Sequence, residues 1–542
     1  MNAIFISLKS NEDIEKYFSE ADDDDDDNDN DNVNNNFVFQ TRSKSIPTIS
    51  NRNEQQQRPS KKRPQNENEN NTSNTSTEPF LNINNSQSST TDKNDEPRAT
   101  PELSRDFINK LFGPIKPGSI RGSIFNLVIL SLGSGCLSLP RYICKTSLTL
   151  GLAMVVVIGL LVWWALTLMS KVCAKEGIYV YSNLIKKVYG KPLALVYDVV
   201  VILYTFGVLI LNQTIIFTLL GEAIYNLFYY KNYTSNEQFL AESFWAYPYV
   251  KYTVPYAIGL GIIFPLCLIK DVSKLRIASL IGVVVLMSII VLLIIEAPFY
   301  FKHYLTEVYE EDIPSTHLNI YHVERGFDNT LTFFELCSSM FYAYVTTIGA
   351  IPIFNSLQNR VLRRIQKVVR RTIIFDIGLF LVIVTVGYLT CPIATPALII
   401  ERNNIHTGEA DIPMSVARIA LVLTILMKLP SNYNALRITL FNMIWKTTEI
   451  TPGKNIVVTI IVLMSCCTVS VLYSEISGYI KLIGGICSSV VGFVIPALLY
   501  TKTNGYGRFD KRNVGIMTVF MILTAIGFIS AGRTLYNIIT GK

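Results

Sequence analysis

The chain has 542 residues, 49% hydrophobic and 17% charged, and these averages join two unlike parts. Its net charge of +6 arises from loop lysines and arginines, so it is no sign of a nucleic-acid partner. Nucleophile elbow, P-loop and metal-spaced His/Cys signatures are all missing, which argues against an enzyme and leaves no cofactor or metal to expect.

The first part is a tail from Met1 to about residue 117. Runs such as Asp22 to Asp27, Asn34 to Asn36 and Gln55 to Gln57 make it polar, acidic and Asn-rich. Such a stretch buries too little apolar surface to offset its backbone entropy, so residues 1–117 are expected to be a disordered cytosolic segment. No charged n-region followed by an apolar core opens the chain, which argues against a cleavable signal peptide.

Residues 118–542 read differently. Eleven apolar blocks follow, at 119–140, 147–169, 193–228, 253–269, 277–297, 332–355, 373–395, 413–435, 455–473, 478–500 and 515–536. Their lengths suit a crossing of roughly 30 Å of hydrocarbon as helix and exceed those of barrel strands. The expectation is an all-α integral membrane protein with eleven transmembrane helices in a lipid bilayer. With the tail in the cytosol, the inward connections hold 21 Lys and Arg, among them Arg363, Arg364, Lys367, Arg370 and Arg371. The outward connections and the C-terminus hold 10, so charge asymmetry supports this orientation. Most of the nine cysteines lie within blocks and read as small packing residues; Cys144 and Cys391 alone lie where outer-face pairing is conceivable. Asn232-Tyr233-Thr234 is a sequon in a predicted outer loop, making Asn232 a candidate glycosylation site.

The first block contains "SLGSGCLSLP", Ser131 to Pro140. Gly133 and Gly135 tolerate non-helical dihedrals and Pro140 lacks an N–H, so the helix is expected to break there. The sixth block reads "FYAYVTTIGAIPIF", Phe341 to Phe354, with Thr346, Thr347 and Gly349 ahead of Pro352. A small-residue face for close helix packing would explain either block alone. Interruptions that open each of two groups of five blocks point instead to an inverted-repeat transporter with its cargo bound at mid-membrane. Freed amides suit a carboxylate and freed carbonyls a cation, a combination that fits a zwitterion.

"GSIFNLVILSLGSGCLSLP" resembles the first helix of the auxin and amino acid permease family, and "FPLCLIKDVSKLRIASLIG", Phe264 to Gly282, resembles its helix four to five junction. The sixth block and its basic loop, and the eighth with Arg418, Pro430 and Arg437, follow the same spacing across most of residues 118–540. The tail lies outside this resemblance, and its composition is similar to that of apicomplexan relatives. The resemblance implies a LeuT-type 5+5 inverted-repeat fold with broken helices one and six. It also implies transport of amino acids by alternating access, in a monomeric unit, at a vacuole-like or plasma membrane with the vacuole preferred. Sodium-coupled members carry an Asn where this chain has Ile129, and a Thr two residues before the proline matching Pro430, where this chain has Lys428. An ammonium there replaces a metal ion at the carbonyls of helix one, and in a dry pocket it offers a proton to the cycle. Lys428 is therefore the candidate cation substitute or proton-coupling group. The competing reading has it near the inner helix end, snorkelling to the interface.

The remaining charges within or near blocks are Asp198, Glu222, Glu296, Glu335, Asp376, Glu475 and Lys481. Asp198 and Asp376 are expected in first helical turns, where the dipole favours an acid. Glu335 is the candidate for an outer vestibule. All four histidines, His303, His317, His322 and His406, are placed in outer loops. The substrate pocket is expected from Ser131, Gly133, Ser134 and Gly135 of helix one and from Tyr342, Thr346, Thr347 and Gly349 of helix six, with Tyr204 of helix three beside them. A sensor built on the same fold and signalling through the tail is the rival reading.

Overall fold

The protein is described by a computed structural model. It covers residues 118–229, 231, 247–268, 275–310, 327–358, 360–391, 395–402, 411–445, 451–507 and 510–540. The tail of residues 1–117 and the sequon at Asn232 lie outside these, as do His317, His322 and His406.

Every long element among the described residues is helical. In chain order they are α1 (Ile120–Ser131), α2 (Ser134–Cys144), α3 (Leu148–Glu176), α4 (Tyr181–Tyr189), α5 (Lys191–Ile224), α6 (Pro248–Ile258), α7 (Phe264–Cys267) and α8 (Leu275–Glu310). There follow α9 (Phe327–Ala343), α10 (Thr347–Ser356), α11 (Leu362–Thr390), α12 (Ile412–Trp445), α13 (Pro452–Leu472), α14 (Ile476–Leu482), α15 (Ile495–Thr503) and α16 (Lys511–Thr540). Short π-helical stretches continue α5 over Tyr225–Tyr229, join α6 to α7 over Gly259–Ile263, and lie between α14 and α15 over Ile483–Ser488 and Val490–Val494.

Nine helical stretches among the described residues are long and apolar enough to cross a bilayer, and α1 with α2, bent by 47°, makes a tenth. The predicted fourth block corresponds to Tyr252–Cys267, an apolar helix too short to pass the same test. The outward faces carry large apolar side chains such as Val157, Leu160, Ile295, Val416, Leu423, Ile461 and Ile522. An aqueous surface rarely tolerates so extensive an apolar exterior, and hydrocarbon does.

Polar residues set the helix ends. The Ser147 hydroxyl accepts from Leu150 N at 3.3 Å to start α3, and Gly177 closes it in the left-handed region at φ 67°. The core is assembled where α3 packs on α11, α5 on α12, and α1 and α2 on α11. Buried tyrosines tie these layers together: Tyr344 Oη donates to Val155 O at 3.0 Å, Tyr142 Oη to Ser477 O at 3.2 Å, and Tyr433 Oη pairs with Thr459 Oγ1 at 2.7 Å.

Several sequence expectations are corrected. The basic connection after the sixth block is helical, so α11 starts at Leu362 and not near residue 373. Hydropathy marks contact with lipid, whereas Arg, Lys and Gln are good helix formers outside it. Asp376 accordingly lies at the centre of α11 and not in a first turn. His303 belongs to α8 and not to a loop, and the connection between the second and third blocks contains α4. Pro140 and Pro352 sit inside α2 and α10, so the chain breaks ahead of each and not at it. All nine cysteines are free thiols; Cys144 Sγ donates to Cys391 O at 3.5 Å.

Gly485, in the π-helical stretch Ile483–Ser488, and Gly527 of α16 meet backbone to backbone. A Cβ on Gly527 would stand 2.5 Å from Gly485 O and 3.2 Å from its Cα. Gly527→Leu should therefore overpack this crossing by about 1–3 kcal/mol. The expected outcome is a melting temperature lower by several degrees for the purified protein in detergent; unchanged melting would refute the contact.

Candidate functional site

The first helix is interrupted at Leu132 and Gly133. The carbonyls of Ile129 and Leu132 both point at one amine: Lys428 Nζ donates to Ile129 O at 3.2 Å and to Leu132 O at 2.5 Å. Lys428 stands sixteen residues after Ile412 and seventeen before Trp445, at the middle of α12, and its ammonium turns to helix one instead of an interface. Gly282 of α8 packs beside it, where a Cβ would come within 3.0 Å of Thr424 Cγ2 and 3.2 Å of Ile129 Cδ1. Ile129 is buried, and its side chain offers no oxygen to a metal ion. Among the described residues no group of three or more His, Cys, Asp and Glu is placed to hold a metal.

The sixth-block helix is interrupted over Tyr344, Val345 and Thr346, between α9 and α10. Thr346 N donates to Tyr344 O at 2.7 Å, a tight turn in place of the helical ladder. Here the two interruptions touch. Ser134 Oγ and Tyr342 Oη are 3.3 Å apart, and a Cβ on Gly135 would stand 2.9 Å from Ala343 Cα and 3.0 Å from the Tyr342 ring. Tyr204 of α5 lies beside Tyr342. The structure thus brings Ser134, Gly135, Tyr204 and Tyr342 together.

Other expected wall residues are engaged elsewhere. Ser131 Oγ donates to Val128 O at 2.8 Å, and Gly133 lies against Lys428. Gly349 rests on the Leu130 side chain, and Thr347 faces Gly492. Thr346 is wholly buried within its turn.

Glu335 belongs to a separate cavity of about 410 Å³, lined also by Lys145, Thr332, Glu475, Lys481 and Arg533. Its carboxylate lies 3.5 Å from Lys481 Nζ and 3.7 Å from Arg533 Nε. Burial alone would raise the pKa of Glu475, in the turn before α14. Hydrogen bonds from Ser477 and Tyr473 and the charges of Lys481 and Arg141 outweigh it and hold that pKa below the usual carboxylate value. This is a charged, hydrophilic chamber.

A second ionic group, which sequence reasoning missed, ties the chain before α12 to its neighbours. Arg418 donates to Ile400 O and Arg402 O, both at 2.9 Å, and lies 3.2 Å from Glu222. Arg402 pairs with Glu296 and stacks on the Tyr300 ring at 3.6 Å. The only sequence signal was the presence of arginines and glutamates in apolar surroundings, which gives no pairing.

A family model described as "Transmembrane amino acid transporter protein" matches residues 116–540. The chain belongs to the transmembrane amino acid transporter family. It is a multi-pass membrane protein of a transporter, not an enzyme, family. The sodium-coupled neutral amino acid transporter 7 of Xenopus laevis is 22% identical over 449 residues, or 80% of this chain and 91% of that one. The vacuolar amino acid transporter 5 of Schizosaccharomyces pombe is 21% identical over 384 residues, or 70% of this chain and 83% of that one. Among solved structures, the crystal structure of MhsT in complex with L-phenylalanine aligns with 12% identity and a TM-score of 0.49, covering 77% of this chain and 100% of that one. Within this family of transporters the present chain combines an interrupted first helix with a lysine at its break.

Lys428→Met keeps an unbranched stem and withdraws the donors. Two buried carbonyls would lose their partner at about 1–3 kcal/mol each. A clear drop in melting temperature in detergent is expected, and a variant that melts like the wild type would show that neither carbonyl depends on the ammonium.

Proposed function

We propose that this protein is a sodium-independent, proton-coupled carrier of amino acids or related small zwitterions, working by alternating access. The observation that carries this reading is the ammonium of Lys428 on the carbonyls of Ile129 and Leu132. A fixed cation there does electrostatically what a bound metal ion would do, without having to be loaded from solution. Ile129 supports the same reading, because an apolar side chain contributes nothing to coordination.

The cargo is proposed to lie where the two interruptions meet, between Ser134, Gly135, Tyr204 and Tyr342, with Ser131, Gly133, Thr346, Thr347 and Gly349 completing the walls as the halves separate. Helix ends there present amides to a carboxylate and carbonyls to an amine. Counting α1 with α2 and including Tyr252–Cys267, eleven crossings fall into two groups of five plus one, with the N-terminus in the cytosol. Loop charge supports that orientation. Residues 1–117 are proposed to be a cytosolic tail dispensable for transport, Glu335 to line an outer vestibule, and Asn232 to carry glycan. The vacuolar relative favours residence on a vacuole-like membrane.

Uptake of labelled amino acids into proteoliposomes, with sodium and pH gradients imposed separately, tests the reading. Uptake should follow an inward proton gradient and ignore sodium; strict sodium dependence would overturn it. Lys428→Thr, which supplies a hydroxyl in place of the ammonium, should introduce sodium stimulation of a few-fold in the same assay.

A further inference from the structure

Among the described residues three interior acids are matched by a cation, Glu222 by Arg418, Glu296 by Arg402, and Glu335 by Lys481 and Arg533, while Asp411 and Glu401 accept backbone N–H groups of Met414 and Leu398. Asp376 has neither kind of partner. It stands fourteen residues from either end of α11, is 0% exposed, and neither of its carboxyl oxygens accepts a hydrogen bond. An acid at such depth is costly and usually functional.

Its surroundings are polar but turned away. From α1 the Ser131 hydroxyl lies beside it yet donates to Val128 O at 2.8 Å. From α2 the Cys136 thiol donates to Gly133 O at 3.0 Å, and from the α9–α10 interruption the Tyr344 phenol donates to Val155 O on α3 at 3.0 Å. On α11 itself Thr372, one turn earlier, is fully buried with its hydroxyl unpaired. The charged residues of α3, namely Lys171, Lys175 and Glu176, lie in its last turns, and Glu296 of α8 is taken by Arg402. The Lys428 ammonium is committed to the carbonyls of Ile129 and Leu132, and Cys136 is near both it and Asp376. No cation faces the carboxyl and Ser131 is the one hydroxyl beside it, surroundings that favour the neutral acid over a buried carboxylate. The ionised form has a donor in reserve, because the Ser131 hydroxyl need only rotate to serve it.

We propose that Asp376 is the proton-binding site of the transport cycle. It holds its proton while α1 and α2 close against α11. When the break between them swings away and admits water, the O–H bond is broken and the proton passes to that water. The Ser131 hydroxyl then supports the carboxylate until it is reloaded. This rests on the carrier reading above and deepens it: the proton rides on Asp376, while Lys428 stays a fixed ammonium at the carbonyls of helix one.

The test uses the full-length protein in liposomes and Asp376→Asn, which has the shape of the protonated acid and so preserves the closed packing. The first readout is the ratio of amino acid uptake under an inward proton gradient to uptake at equal pH. That ratio should lie well above one for the wild type, fall to about one in Asp376→Asn, and recover in part in Asp376→Glu. An undiminished ratio in Asp376→Asn overturns the proposal and leaves the proton-coupled carrier standing, whereas a wild-type ratio of one overturns both. The second readout needs no transport. Infrared spectra of the reconstituted protein should contain a protonated-carboxyl band at neutral pH that Asp376→Asn removes and Asp376→Glu shifts. A band of equal strength in Asp376→Asn would show that the buried proton sits elsewhere, even if that variant carried nothing.

Discussion

A backbone carbonyl surrounded by hydrocarbon needs a donor, and the interruption at Leu132 and Gly133 leaves two without one. This requirement organises the centre of the molecule. A continuous first helix would have satisfied them internally and asked nothing of its neighbours. Once it breaks, a partner has to arrive from another element, and Lys428 reaches across from α12 to meet both. Gly282 on α8 leaves space for the Thr424 and Ile129 side chains that pack beside this contact. One broken ladder therefore constrains residues on three separate helices.

The charges of the interior fall into two regimes. On α5, α8, α9 and α16 acids pair with bases, as Glu222 does with Arg418 and Glu335 with Lys481 and Arg533. Truncating one member of such a pair is costly because its counterpart is left buried and unmatched, so these clusters hold segments in place. At mid-membrane the pattern changes. Lys428 is served by the carbonyls of helix one, and Asp376 is not paired with it.

How much of this was legible in the sequence follows from what each signal measures. Apolar blocks located the crossings because hydropathy reports contact with oil, and the glycine-rich run in the first block located its interruption. Lys428 stood out because an ammonium amid apolar residues has few benign explanations. Asp376 was misplaced for the same kind of reason: its block was started where the hydrophobic run starts, while the helix begins eleven residues earlier among arginines that are as helical as the core. The basic α4 was hidden likewise, its Lys186 and Lys187 reading as loop charge. Pairings such as Arg402 with Glu296, 106 residues apart, leave no local trace at all, because distance along the chain says nothing about which buried charge meets which. The proximity of Gly135 to Tyr342 is of this kind too, since only the folded chain decides which ring lies opposite a glycine.

That last contact bears on how closely the two broken helices approach. With only hydrogen on the α-carbon of residue 135, the Tyr342 ring and the Ala343 backbone settle directly onto the main chain of α2. The spacing of the two broken helices is therefore set by an absent methyl group. An alanine would act as a shim, propping them apart at Tyr342 and Ala343.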